Sequence, residues 1–108
     1  MPWTSLCDLS ELEEGTGKYV EIGGFQLAVF HHGGKVYVTD NLCPHAGGNL
    51  SAGPVEDGYV FCPWHSWPFN LATGELRDMP NCMITTYKTR LYERENQPPL
   101  VQADLPIY

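Results

Sequence analysis

Short runs of alternating apolar and polar residues, punctuated by glycine, set the pattern of the first half of the chain. Trp3-Thr4-Ser5-Leu6-Cys7 predicts an opening strand, and Asp8 to Leu12 a single helical turn capped by Asp8 or Ser10. Gly15-Thr16-Gly17 predicts a turn, and Lys18 to Ile22 the strand after it. Gly23-Gly24 and His31-His32-Gly33-Gly34 predict two more turns, because glycine accepts the positive φ that tight hairpins need. Between them Phe25 to Phe30 reads as a strand with Phe25, Leu27 and Val29 on one face. Lys35 to Asp40 follows, with Val36 and Val38 alternating against Lys35, Tyr37 and Thr39. Hairpins in series argue for an antiparallel meander, not for βαβ units.

The second half is less regular. Asp57-Gly58 predicts a turn before a strand at Tyr59-Val60-Phe61. Phe69-Asn70-Leu71 and Glu75-Leu76 flank a turn at Ala72-Thr73-Gly74. Met79-Pro80-Asn81 interrupts the pattern, and Ile84 to Tyr92 is the longest β-prone run. Glu93 to Pro99 reads as a polar loop, and Leu100-Val101-Gln102 as a strand that closes a sheet. The tail to Tyr108 has no pattern. The expected class is all-β: a small antiparallel β-sandwich, one domain over residues 1–108.

Chemistry concentrates in one stretch. Cys43-Pro44-His45 and Cys62-Pro63-Trp64-His65 place a Cys/His pair at each end of a segment able to fold back on itself. Thiolates and imidazoles at such spacing suit a transition metal. Two Cys and two His fit a structural zinc site, although C-x-H is an unusual zinc half-site. They equally fit a [2Fe–2S] cluster in which two Cys hold one iron and two His the other.

Cys43-Pro44-His45-Ala46-Gly47-Gly48, with Cys62-Pro63-Trp64-His65-Ser66-Trp67-Pro68-Phe69, resembles the Rieske iron–sulfur family. The likeness is greatest to the soluble Rieske ferredoxins and the ferredoxin-like small subunits of NAD(P)H nitrite reductases. Leu50-Ser51-Ala52-Gly53 and Phe69-Asn70-Leu71-Ala72-Thr73-Gly74-Glu75 match the family's surroundings of the site as well. The resemblance implies one Rieske-type [2Fe–2S] cluster on two loops at one end of the sandwich, in a cluster-binding part spanning about 41–76. It implies Cys43 and Cys62 on the inner iron, and His45 and His65 on the outer iron near solvent. Each His would keep a ring N–H for water or a partner, giving electrons an exit and the potential a pH dependence. Pro44 and Pro63 would stiffen the loops, Gly47 and Gly48 would let backbone N–H groups approach the sulfides, and Trp64 and Trp67 would limit water.

High-potential members of the family add a Cys to each loop, at positions held here by Gly48 and Trp64. They add a Ser and a Tyr donor where this chain has Trp67 and Phe69. A low potential is expected, near the lower end of about −150 to +300 mV. Ser66 stands where ferredoxin-type members commonly carry Gly.

Composition narrows the function. The 108 residues carry a net charge of −7 and only six Lys and Arg, which argues against nucleic acid. No apolar stretch has the length of a membrane span, and no leader pattern opens the chain. Cys7 and Cys82 read as ordinary thiols, in a strand and a loop, consistent with a reducing cytoplasm. His31 and His32 read as exposed turn residues, and Tyr87 and Tyr92 as packing residues. No nucleophile–base set and no phosphate-cradling loop are visible, so the chain is not expected to turn over an organic substrate alone. The expected function is one-electron transfer from a reductase to a terminal oxygenase. The alternative is the small subunit of an NAD(P)H nitrite reductase, held by its large subunit.

Overall fold

The computed structural model describes residues 3–42, 48–63, 66–77 and 79–106. Its strands are β1 (Trp3–Asp8), β2 (Thr16–Ile22), β3 (Phe25–His32), β4 (Lys35–Asp40), β5 (Val55–Glu56), β6 (Tyr59–Phe61), β7 (Pro68–Asn70), β8 (Glu75–Leu76), β9 (Met79–Met83), β10 (Thr86–Tyr87), β11 (Thr89–Arg94) and β12 (Gln97–Asp104). Single 3-10 turns lie at Leu9–Glu11 and Leu50–Ala52. Every strand pairing is antiparallel. The strands form three sheets, ordered β1-β12-β11, β10-β4-β3-β2 and β5-β6-β7-β8-β9. The class is all-β, as the pattern predicts.

Strand β3 explains how the sheets stack. Leu27 and Val29 point into a core shared with Val38, Val101 and Leu105, between the three- and four-stranded sheets. Ala28 and Phe30 point the other way, into a core with Leu50, Val60, Cys62 and Phe69. Side chains alternate along a strand, so β3 buries both faces and its sheet is a middle layer. Gly23-Gly24 (φ +58 and +85°) and Gly33-Gly34 (φ +62 and +78°) make the two-residue turns on either side of β3.

The structure corrects several local expectations. Gly17 belongs to β2, not to a turn; a Cβ there would meet the Phe30 ring and the Ser51 carbonyl at 2.7 Å, so glycine permits close packing. His31 and His32 end β3 half-buried, and the turn is Gly33-Gly34 alone. Met79 to Met83 does not interrupt but forms β9, an edge strand, where proline is tolerated because one side needs no ladder bond. Cys82 therefore lies in a strand. The Ile84–Tyr92 run is split: Thr86–Tyr87 pairs with β4, while Thr89 onward pairs with β12. The expected loop at 93–99 is a hairpin turning at Asn96 (φ +61°). Pro98 and Pro99 fall at its bulge, between the pairs Tyr92↔Leu100 and Arg94↔Gln97.

Candidate metal centre

The first ligand loop leaves the end of β4 and returns to the 3-10 turn at Leu50. Asn41, 2% exposed, closes its base. The Asn41 N–H donates to the Gln26 carbonyl (2.9 Å), and its own carbonyl accepts from Leu50 N–H (2.7 Å). Its side-chain Nδ2 donates to Asn49 Oδ1, and its Oδ1 accepts from Ser51 N–H, both at 3.0 Å. A β-bridge joins Leu42 to Asn49. One buried amide with donor and acceptor both used thus holds the two ends of the loop together.

The second loop leaves β6. The Cys62 N–H donates to the Trp67 carbonyl (3.0 Å), and Ser66 N–H donates to the Cys62 carbonyl (2.7 Å). Ser66 takes a left-handed φ of +55°. The Cys62 residue is 1% exposed and sits in the core with Leu50, Val60 and Phe69, while Trp67 packs against that core half-buried.

The two loop bases touch. Phe61 N–H donates to the Pro54 carbonyl (3.0 Å). A Cβ on Gly53 would fall on the Phe61 carbonyl oxygen, so only glycine lets the exit of the first loop lie against the entry of the second. Of the expected ligands, Cys62 is placed; Cys43, His45 and His65 lie outside the described residues, as do Pro44, Gly47 and Trp64. The segment that follows the first motif does meet the strand that precedes the second, at Gly53, Pro54 and Phe61. Gly53 stood in the sequence only as part of the Leu50–Gly53 match, and the clamp made by Asn41 was not read there, since nothing in a lone Asn after a strand announces it.

This arrangement fits a cluster held by two loops. It has a buried thiol at the joint, a glycine that lets the two loop bases pack together, and soft thiolate and imidazole donors in both motifs. Among the described residues no other group of three His, Cys, Asp or Glu side chains is placed to hold a metal ion.

The Rieske [2Fe-2S] domain model matches residues 2–88. The chain belongs to the Rieske [2Fe–2S] family. One Rieske cluster per chain follows from that membership. This Rieske chain is 33% identical over 90 residues to the ferredoxin component of a naphthalene 1,2-dioxygenase system from Pseudomonas putida, covering 82% of this chain and 86% of that protein. The solved ferredoxin of Sphingomonas yanoikuyae B1 superposes with a TM-score of 0.80 at 31% identity, covering 97% of this chain and 100% of that one. A structure described as the small subunit of an NADH-dependent nitrite reductase from Mycobacterium tuberculosis gives a TM-score of 0.84 at 26% identity, covering 98% and 97%. Mouse and human apoptosis-inducing factor 3 are 36% identical over 76 residues, but the chain spans only 13% of their length.

Residues outside the Rieske loops have structural roles. His32 Nε2 accepts from Gly58 N–H (3.0 Å), tying β3 to the turn that precedes β6, and its Nδ1 lies 3.5 Å from Glu14 Oε2. Glu14 also accepts from Gly33 N–H (2.9 Å), which holds its carboxyl below the usual range. Burial pushes the Cys7 thiol up to about 11, with Glu11 adding to the effect. Neither Cys7 nor Cys82 is in a disulfide. Tyr87 is half-buried and packs edge-to-face on Phe25, whereas Tyr92 is 50% exposed with the Arg90 guanidinium 5.9 Å from its ring centroid. No helix among the described residues is long and apolar enough to cross a membrane.

Proposed function

We propose that this chain is a one-electron carrier, the ferredoxin component that takes electrons from a reductase and passes them to a terminal oxygenase. The observation that carries this reading is the likeness to the Pseudomonas putida ferredoxin component, which extends over most of both chains. When bound, the cluster supplies a reversible one-electron couple. Cys43 and Cys62 would hold the inner iron, and His45 and His65 the outer. The whole of 1–108 would act as one domain in a reducing cytoplasm, which suits the unpaired thiols of Cys7 and Cys82.

The core around Cys62 argues for a low potential. Phe69, fully buried beside it, and Trp67 carry no hydroxyl to donate to sulfur or thiolate. Fewer such donors leave the reduced cluster less stabilised. The potential should fall in the lower half of about −150 to +300 mV; a value in the upper half contradicts this account.

The first experiment is iron and acid-labile sulfide analysis with electron paramagnetic resonance before and after dithionite. Equal iron and sulfide with the low average g value of a His-ligated cluster supports the carrier, and zinc overturns it. His65→Cys should alter the spectrum; an unchanged one removes His65 from the ligand set.

The second reading, a nitrite reductase small subunit, rests on the structural match with a TM-score of 0.84. Co-purification with a large flavin and sirohaem subunit would favour it, and reduction by an isolated ferredoxin reductase would favour the first.

A further inference from the structure

A cleft of about 380 Å³ opens beside the base of the first ligand loop, lined by Gly24, Phe25, Gln26, Asp40, Leu42 and Tyr87. Asp40 is the one charged side chain among these. Tyr87 Oη donates to Asp40 Oδ1 at 2.7 Å, and Asp40 takes part in none of the ion pairs among the described residues. Its second carboxylate oxygen accepts no hydrogen bond from another side chain among the described residues, which suits a donor from outside. Burial, the hydrogen bond to Asp40 and the Asp40 charge raise the Tyr87 pKa, so the phenol stays a donor.

The walls suit the rest of a long basic side chain. Phe25 and Tyr87 meet edge to face, with ring centroids 6.1 Å apart. Such surfaces accommodate the alkyl stem of lysine or arginine while the charged head reaches the carboxylate. Gly24 puts no side chain over the rim. Leu42, 48% exposed, immediately precedes Cys43 in the sequence, so a protein seated here lies against the base of the ligand loop. The net charge of −7 favours encounter with a basic surface.

We propose that this cleft receives a lysine or arginine side chain from the protein that exchanges electrons with the cluster, with Asp40 as its contact. The proposal rests on the electron-carrier reading above. Two measurements on the intact cluster-bearing protein test it. In stopped flow at low salt, the dithionite-reduced protein is mixed with cytochrome c, a strongly basic electron acceptor. Asp40→Asn keeps an acceptor for Tyr87 and should slow the second-order rate about three- to tenfold with a flatter salt dependence. Glu93→Gln removes the same charge from an exposed site on β11, outside the cleft, and should change the rate much less. Equal losses in the two variants overturn the proposal.

The second measurement follows the backbone amides of Gly24 and Gln26 by nuclear magnetic resonance. N-acetylarginine amide should shift them in the wild type but not in Asp40→Asn. The neutral N-acetylcitrulline amide should not shift them, and equal shifts with both compounds overturn the proposal. A wild-type protein that passes no electrons to cytochrome c defeats the carrier reading instead, while the arginine titration still reports on the cleft.

Discussion

The loop that carries Cys43 and the loop that carries Cys62 both have backbone bonds at their bases, but a buried side chain reinforces the first and a left-handed residue shapes the second. In the first, a side chain adds to the Leu50–Asn41 backbone bond and the Leu42–Asn49 bridge: Asn41 reaches across the loop base to Asn49 and Ser51. Backbone groups close the second, Cys62 to Trp67 and Ser66 to Cys62, at the cost of a left-handed serine. The first loop can be loosened by deleting one amide, although its backbone bonds remain. The backbone bonds of the second, with the left-handed Ser66, put part of its sensitivity in conformation. Gly53 serves both, because it sets the distance between them.

The largest effect should come from that shared joint. Gly53 has φ −82°, which any residue accepts, so Gly53→Ala tests packing and not strain. Its Cβ must displace the Phe61 carbonyl, moving both bases apart, at a cost of about 3 kcal/mol. Lowered cluster occupancy and a lowered unfolding temperature should appear together; a normal protein would show that the bases need not touch. The next largest belongs to the first loop alone. Asn41→Ala leaves Asn49 Oδ1 and Ser51 N–H without partners and should cost about 2 kcal/mol. Faster hydrogen exchange at Leu50 and Ser51 than at Cys62 would confirm that the loops are held separately. Equal acceleration at all three would show that they are not.

What the sequence revealed depended on the range of the interaction. The glycine-pair turns and the alternation in β3 are local, and both stand in the structure. The ligand motifs are dense enough to read without partners, though Cys62 alone of the four is among the described residues. Pairings set from afar were not legible. Met79 to Met83 looks broken by Pro80, yet it is an edge strand because β8 lies on one side of it. Thr86–Tyr87 and Thr89–Arg94 share one β-prone run, and only β4 and β12 decide that they belong to different sheets. Asn41 reads as an ordinary loop residue until Asn49 and Ser51 are placed beside it.

The smallest effect sharpens the contrast from the second loop's side, and its sign is opposite. A non-glycine residue in the left-handed region carries roughly 1–2 kcal/mol of strain. Replacing Ser66 by glycine removes that strain but gives the unfolded chain more freedom, worth about 0.4–1 kcal/mol. Ser66 is exposed and its hydroxyl makes no hydrogen bond among the described residues, so no packing is lost. Ser66→Gly should therefore stabilise the protein by up to about 1 kcal/mol, read as a higher temperature for loss of cluster absorbance. Ser66→Ala keeps the Cβ and loses only the hydroxyl, so it should gain nothing. An equal gain in both variants would trace the cost to the hydroxyl and not the backbone. The loop would then be closed without strain, and the contrast between the two bases would reduce to the Asn41 clamp alone.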